Sequence, residues 1–227
     1  MYEFIRGPMA WVSFLIFISG SAYQIIGFFR NTSKQEEFAF SKPSYVQHTR
    51  GQPVNKKLLS FKDIKYSIKY SMIGFDPFFS VITIIFHICI LILPFLLYEH
   101  NAIFEILWGF PLSPFTLPEN VSDILTFTII ACIFYFILRR IFIRRVRSIT
   151  TFYDYYILFI VAAPFITGFL LLHNIFSYKT IAIFHILSVE LLFISLPFSK
   201  LSHMFFFILN RFYIRNEFSF GKGDRIW

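Results

Sequence analysis

Residues 181–209 read IAIFHILSVELLFISLPFSKLSHMFFFIL. The run is almost wholly apolar, although it contains two histidines, one glutamate and one lysine. As a helix it is long enough to cross about 30 Å of hydrocarbon. We therefore predict a membrane-spanning helix here, and its length predicts a tilt or an extension into the cytoplasm.

Four more apolar runs reach the length of a membrane span, at about 8–29, 77–97, 124–143 and 155–176. Only 15% of all residues are charged, against about a quarter in a soluble domain. The first run reads as a retained helix, because Arg6 is offset by Glu3 where a signal peptide would be basic. The prediction is a single all-α membrane domain, 1–227, formed by a bundle of five transmembrane helices.

Lysine and arginine alternate between the two sides of the predicted spans. They are frequent before the second span, between the third and fourth, and in the tail, but absent from Glu99 to Asp123. The positive-inside rule then places the N-terminus outside and the C-terminus in the cytoplasm. We expect a multi-pass protein of the cytoplasmic (inner) membrane. The net charge of +8 suits anionic lipid, and no nucleic-acid partner is expected.

A basic segment at about 56–72 lies in the first cytoplasmic connection. Phe61, Ile64, Ile68 and Met72 recur there at helical spacing, and lysines fall off that stripe. This pattern is typical of an amphipathic helix on the membrane surface. The connections are too short for a catalytic domain, so chemistry is expected in the bilayer or on a partner subunit.

Histidines inside apolar spans are costly and usually functional. His185 and His203 are eighteen residues apart, which is five turns of one helix and about 27 Å along its axis. One imidazole near each boundary is what two stacked haems would require, each iron needing a second imidazole from another helix. No C-x-x-C-H motif occurs, so the haems would be of b type.

His87 and His100 near the second span can match those two depths, with His100 beside His185 and His87 nearer His203. An ideal helix would turn His100 about 140° away from His87, so Pro94 is expected to kink or unwind the segment. His173 is the competing outer ligand. The alternative is that the histidines are hydrogen-bonded packing groups or a proton relay without haem.

Other polar and small residues inside the spans also need a role. Glu190 is expected to relay protons or to hydrogen-bond a neighbouring helix, and Lys200 to contact a haem propionate or a quinone, or to snorkel toward the cytoplasm. Gly20 and Gly168 are expected to permit kinks or close helix approach. Asp154 is expected to cap the fourth span.

The stretch IFHILSVELLFISLPFSKLSHMFFFILNR resembles the last helix of the respiratory nitrate reductase gamma-subunit family of di-haem cytochromes b. In that family two histidines of this helix, one within PF[ST]KLxH, bind two haems. Three more segments resemble the cytochrome b subunit of the transmembrane and high-molecular-weight cytochrome c complexes of sulfate reducers: GFDPFFSVITIIFHICILILPFLLYEHN, LRRIFIRRVRSIT and APFITGFLLLHN.

The resemblance implies that His185 and His203 are axial ligands and that His87 and His100 complete the two sites. In the nitrate reductase subunits the two second-helix histidines are closer together than His87 and His100. The resemblance also implies menaquinone or another quinone near one haem. Its implied partners are a periplasmic multihaem cytochrome c, cytoplasmic iron–sulfur subunits and other membrane subunits. The function expected is electron transfer across the membrane, and the alternative is a haem-free membrane anchor.

Overall fold

A computed structural model describes residues 2–40, 76–109 and 113–213, which are helical apart from short connections. The predicted amphipathic segment at about 56–72 lies outside them. The longer helices are α1 (Ala10–Phe40), α2 (Pro77–Leu96), α3 (Tyr98–Trp108), α4 (Glu119–Phe142), α5 (Phe152–Leu172), α6 (Tyr178–Phe198) and α7 (His203–Tyr213).

Five helical segments are long and apolar enough to cross a membrane. They are Tyr2–Asn31, which contains a π-helical turn at Ile5–Met9 before it continues into α1, and the helices α2, α4, α5 and α6. In hydrocarbon every backbone N–H and C=O must be paired within the protein, which an α-helix achieves by itself. The predicted all-α fold with five spans is confirmed. The side that each terminus faces stays a prediction.

Polar residues at the helix ends fix where the spans begin. The Asp76 carboxylate accepts from the Phe79 N–H and caps α2. Thr151 and Asp154 form a capping box at the start of α5, as expected of Asp154. These side chains pair N–H groups that the first turn of a helix leaves without partners.

The predicted span 181–209 is divided in the structure. Helix α6 ends at Phe198, and Ser199 adopts an extended conformation with φ −122° and ψ −177°. The Ser199 hydroxyl accepts from the Leu201 N–H and starts a short 3-10 turn, after which α7 begins at His203. The prediction of one continuous helix was therefore wrong beyond Phe198. The axial separation of about 27 Å between His185 and His203, which assumed that helix, does not apply.

The contacts divide the chain into two compact units. One contains the described parts of Phe61–Val189, and the other contains the described parts of Glu3–Ser60 and Glu190–Trp227. In the first unit, α4 packs against both α2 and α5. Its core contains one fully buried aliphatic side chain from each of these helices: Leu93, Ile129 and Ile160.

In the other unit, α1 lies against the end of α6. A Cβ atom on Gly20 would be 2.7 Å from a side-chain carbon of Pro197 and 2.9 Å from the Phe198 ring. The Gln24 amide donates to the Pro197 carbonyl oxygen at 2.8 Å, one residue before α6 ends. The close approach expected at Gly20 is confirmed.

We predict that Gly20→Ala lowers the stability of the protein by about 1–3 kcal/mol, because the added methyl group overlaps the Pro197 and Phe198 side chains. Gly27→Ala is the matched control, since nothing lies within 4 Å of a Cβ built there and alanine is the better helix former. Thermal unfolding in detergent compares the two variants. Equal effects would contradict the proposed contact.

The start of α2 is tied to the end of α4 by an ion pair. An Arg139 guanidinium nitrogen lies 3.0 Å from an Asp76 carboxylate oxygen, and the guanidinium carbon lies 4.1 Å from the centre of the Phe79 ring. The hydrogen bond from the Phe79 N–H and the one from Arg139 hold the pKa of Asp76 below its ordinary value of 3.8. The ionised form is therefore the one that the fold stabilises.

We predict that Asp76→Asn lowers the melting temperature at pH 7, although asparagine still caps α2. The pKa of Asp76 is lower in the folded protein than in the unfolded chain. Its contribution to stability is therefore fully present above the ordinary aspartate pKa, and it is lost as the pH falls through the lower pKa of the folded state. Melting curves of both proteins at pH 7 and near pH 3 measure this. If the melting temperatures of the two proteins differ by the same amount at both pH values, the ion pair is not the cause of the difference.

Candidate functional site

A break in the helical chain sets the position of His100. Leu97 is extended, with φ −74° and ψ 134°, so α2 stops at Leu96 and α3 begins at Tyr98. Pro94 lies one turn before the break, and its carbonyl oxygen is 2.9 Å from Nδ1 of His100. The interruption expected from Pro94 is present, and it removes the requirement that His87 and His100 follow one ideal helix.

His185 is held by a polar group inside the same unit. Its Nδ1 lies 3.2 Å from the Thr167 hydroxyl oxygen, which also contacts the Ser188 hydroxyl at 3.2 Å. A Cβ atom on Gly168 would be only 3.1 Å from Cε1 of His185. The glycine therefore allows the imidazole to lie against α5, as the sequence predicted for this position.

His100 and His185 lie together. Their ring centroids are 6.2 Å apart and their planes are inclined by 25°. Metal–imidazole bonds are about 2.0 Å long, so two imidazoles on opposite sides of one metal ion have centroids roughly 6 Å apart. The observed separation fits a bis-histidine iron, and these two residues are the ones predicted to share a haem.

The hydrogen bonds also determine which ring nitrogen carries the proton. A carbonyl oxygen only accepts, so Nδ1 of His100 must donate to Pro94. The Thr167 hydroxyl donates to the Ala163 carbonyl at 2.7 Å, which leaves its oxygen to accept from Nδ1 of His185. In this tautomer each Nε2 has a lone pair for a metal ion, and the Nδ1 bond fixes the ring, as is usual for histidine ligands.

The other two predicted ligands show the same anchoring. Nδ1 of His87 is 2.7 Å from the Thr83 carbonyl oxygen, and Nδ1 of His203 is 2.7 Å from the Lys200 carbonyl oxygen. His87 belongs to the unit that contains His100 and His185, and His203 to the other unit. All four predicted ligands thus donate from Nδ1.

His173 differs from these four. It follows the last residue of α5, and its Nε2 lies 3.0 Å from a carboxylate oxygen of Asp123. A carboxylate accepts, so Nε2 donates the hydrogen bond, and this nitrogen is not available to a metal ion while the pair persists. The bond therefore favours His100 over His173 as the partner of His185.

Glu190 and Lys200 have contrasting surroundings. The Glu190 side chain is buried, and neither of its carboxyl oxygens has a hydrogen-bond partner among the described residues. Lys200 is exposed and opens the 3-10 turn that precedes His203. Within the described ranges, no three or more His, Cys, Asp or Glu side chains are grouped to hold a metal ion. A bis-histidine haem uses two.

An open cavity of about 420 Å³ lies beside the break that positions His100. Leu97, Tyr98 and Glu99 line it, together with Glu119 and Leu172. Its volume is in the range of small-molecule sites, and its lining combines apolar side chains with two carboxylates.

Two polar residues of the site were missed by the sequence reasoning. Thr167 has a weak signal, because a threonine in an apolar span usually bonds only the preceding turn of its own helix. Asn101 follows His100 directly and is fully buried, yet neither atom of its side-chain amide has a partner among the described residues. In sequence it resembles an ordinary residue at the end of a span.

No protein-family profile and no solved structure matches the chain. A relative in Nitratidesulfovibrio vulgaris (strain Hildenborough), described only as "Protein", is 36% identical over 225 residues. The match covers 98% of this chain and 96% of that protein. Similarity of this extent includes the spans and the candidate site, and the chain therefore belongs to the same family as this Nitratidesulfovibrio vulgaris protein.

Proposed function

We propose that the chain is the membrane cytochrome b subunit of a respiratory complex and holds two b-type haems. It transfers electrons across the membrane between quinone or quinol and partner redox subunits. When bound, a bis-histidine haem supplies one-electron transfer without an open position for substrate. The observation that carries the proposal is the pair of near-parallel imidazoles, His100 and His185, each anchored through Nδ1.

The protein side of this function is to place and hold the ligands. His100 and His185 would hold one haem iron through Nε2, and the Pro94 carbonyl and the Thr167 hydroxyl keep their rings oriented. The resemblance implies that His87 and His203 would hold the second haem iron, and their Nδ1 bonds give them the same tautomer.

We place the quinone head in the cavity beside Leu97 and Tyr98. Its carboxylates, Glu99 and Glu119, accept the protons that quinol releases on oxidation, and the His173–Asp123 pair offers a further exchange site. Glu190 and Lys200 remain proposed relay or quinone contacts. Menaquinone is the quinone that the resemblance suggests.

The distribution of lysine and arginine gives the proposed orientation of the chain in the membrane. The N-terminus faces outward and the C-terminus the cytoplasm of a bacterial inner membrane. A periplasmic multihaem cytochrome c, a cytoplasmic iron–sulfur subunit and other membrane subunits are the proposed partners. The alternative is a membrane anchor whose histidines only pack or relay protons, and this alternative requires a colourless purified protein.

We predict that His100→Ala and His185→Ala each remove the same one of about two b-type haems per chain, because each removes a ligand of one iron. The double variant should therefore lose no more haem than either single variant. His173→Ala, the matched control, should keep both. Pyridine haemochrome assays against protein concentration measure the ratio, and a double variant that loses both haems would contradict the pairing.

We predict that Thr167→Val retains both haems but raises the midpoint potential of one. Without the acceptor at Nδ1, the His185 imidazole is a weaker electron donor and stabilises ferric iron less. A tenfold change in the ratio of the site's affinities for ferric and ferrous iron corresponds to about 59 mV. The midpoint potential should therefore shift on the order of tens of millivolts.

Thr128→Val is the control for this titration, since the exposed Thr128 hydroxyl donates to the Ile124 carbonyl oxygen of its own helix. It should leave both potentials unchanged. Equal shifts in the two variants would show that Thr167 acts through general packing and not through His185.

A further inference from the structure

The buried amide of Asn101 needs a partner that the described chain does not provide. Its side chain is 1% exposed, and both Nδ2 and Oδ1 lack hydrogen bonds among the described residues. A buried amide without a partner costs several kcal/mol when no water is available, and the large majority of buried side-chain polar atoms in proteins are paired. The bare amide therefore points to a bound group.

The position of Asn101 indicates where that group lies. Asn101 follows His100 in α3, with its backbone N–H bonded to the Leu97 carbonyl at the helix break. Neighbouring Cα atoms are about 3.8 Å apart. Successive side chains of an α-helix point roughly 100° apart. A group as wide as haem can therefore have its edge at Asn101 while its iron lies at His100.

The two unpaired atoms indicate the chemistry of the group. Nδ2 donates and Oδ1 accepts, and a carboxyl group offers an acceptor oxygen and, when protonated, a donor as well. A quinol hydroxyl can donate and accept, but its oxidised form, the quinone, offers acceptors alone and leaves Oδ1 unpaired. The b-type haem carries two propionic acid groups, and Glu99–Asp123 contains no lysine or arginine to neutralise one of them.

We propose that the Asn101 amide hydrogen-bonds a propionic acid group of the haem held by His100 and His185. This rests on the proposed function, because it requires that haem. Asn101 is then a positioning residue: it holds the edge of the haem, whereas the imidazoles hold the iron.

The test is infrared difference spectroscopy of the purified, haem-loaded chain with ¹³C in the propionate carboxyl groups. Asn101→Leu keeps the shape of the side chain and removes both polar atoms. It should shift a labelled carboxyl band and release one haem about tenfold faster to apomyoglobin, as expected when an outer partner is lost. Asn120→Leu alters an exposed asparagine of α4 and should change neither.

Unchanged bands in Asn101→Leu would overturn the inference and leave the two-haem function intact, with a buried water as the partner of the amide. A wild-type chain without haem would overturn both. If Asn101→Leu does not accumulate in membranes, Asn101→Ser takes its place. Serine cannot form the paired contact, so wild-type bands in that variant overturn the inference equally.

Discussion

One hydrogen bond from Nδ1 of each predicted ligand to an oxygen of the chain is the contact on which the site depends. A hydrogen bond at one ring nitrogen sets the direction of an imidazole, so each of these rings is oriented by the acceptor that the protein provides. The carbonyl groups of Thr83, Pro94 and Lys200 provide it for three histidines, and the Thr167 hydroxyl for the fourth. The same bond fixes the tautomer in which Nε2 carries the lone pair that the proposed haem iron would bind.

Two interruptions of helical structure place two of these histidines. After Pro94 the chain breaks at Leu97, and the new helix brings His100 to His185. After Pro197 the chain breaks at Ser199, and His203 begins another helix. Each break frees carbonyl groups from helical bonding. His100 uses one of them through the Pro94 carbonyl, and the Gln24 amide uses another at Pro197.

Much of this arrangement was predictable from sequence because it follows from local chemistry. Length and apolarity predict the five spans, proline predicts the break before His100, and Gly20 and Gly168 predict close approaches. The break at Ser199 was not predicted, since a serine within an apolar run is common in continuous spans. Thr167 was missed because its partner lies on another helix, and Asn101 because only burial reveals its amide as unpaired.

We propose that one iron lies between His100 and His185. Electron paramagnetic resonance of the oxidised, purified protein tests it most directly, since low-spin iron with two imidazoles differs from five-coordinate or histidine–methionine iron. We predict two low-spin bis-imidazole signals in the wild type and one of them missing from His185→Ala. A protein without haem, or two unchanged signals in that variant, would contradict the account.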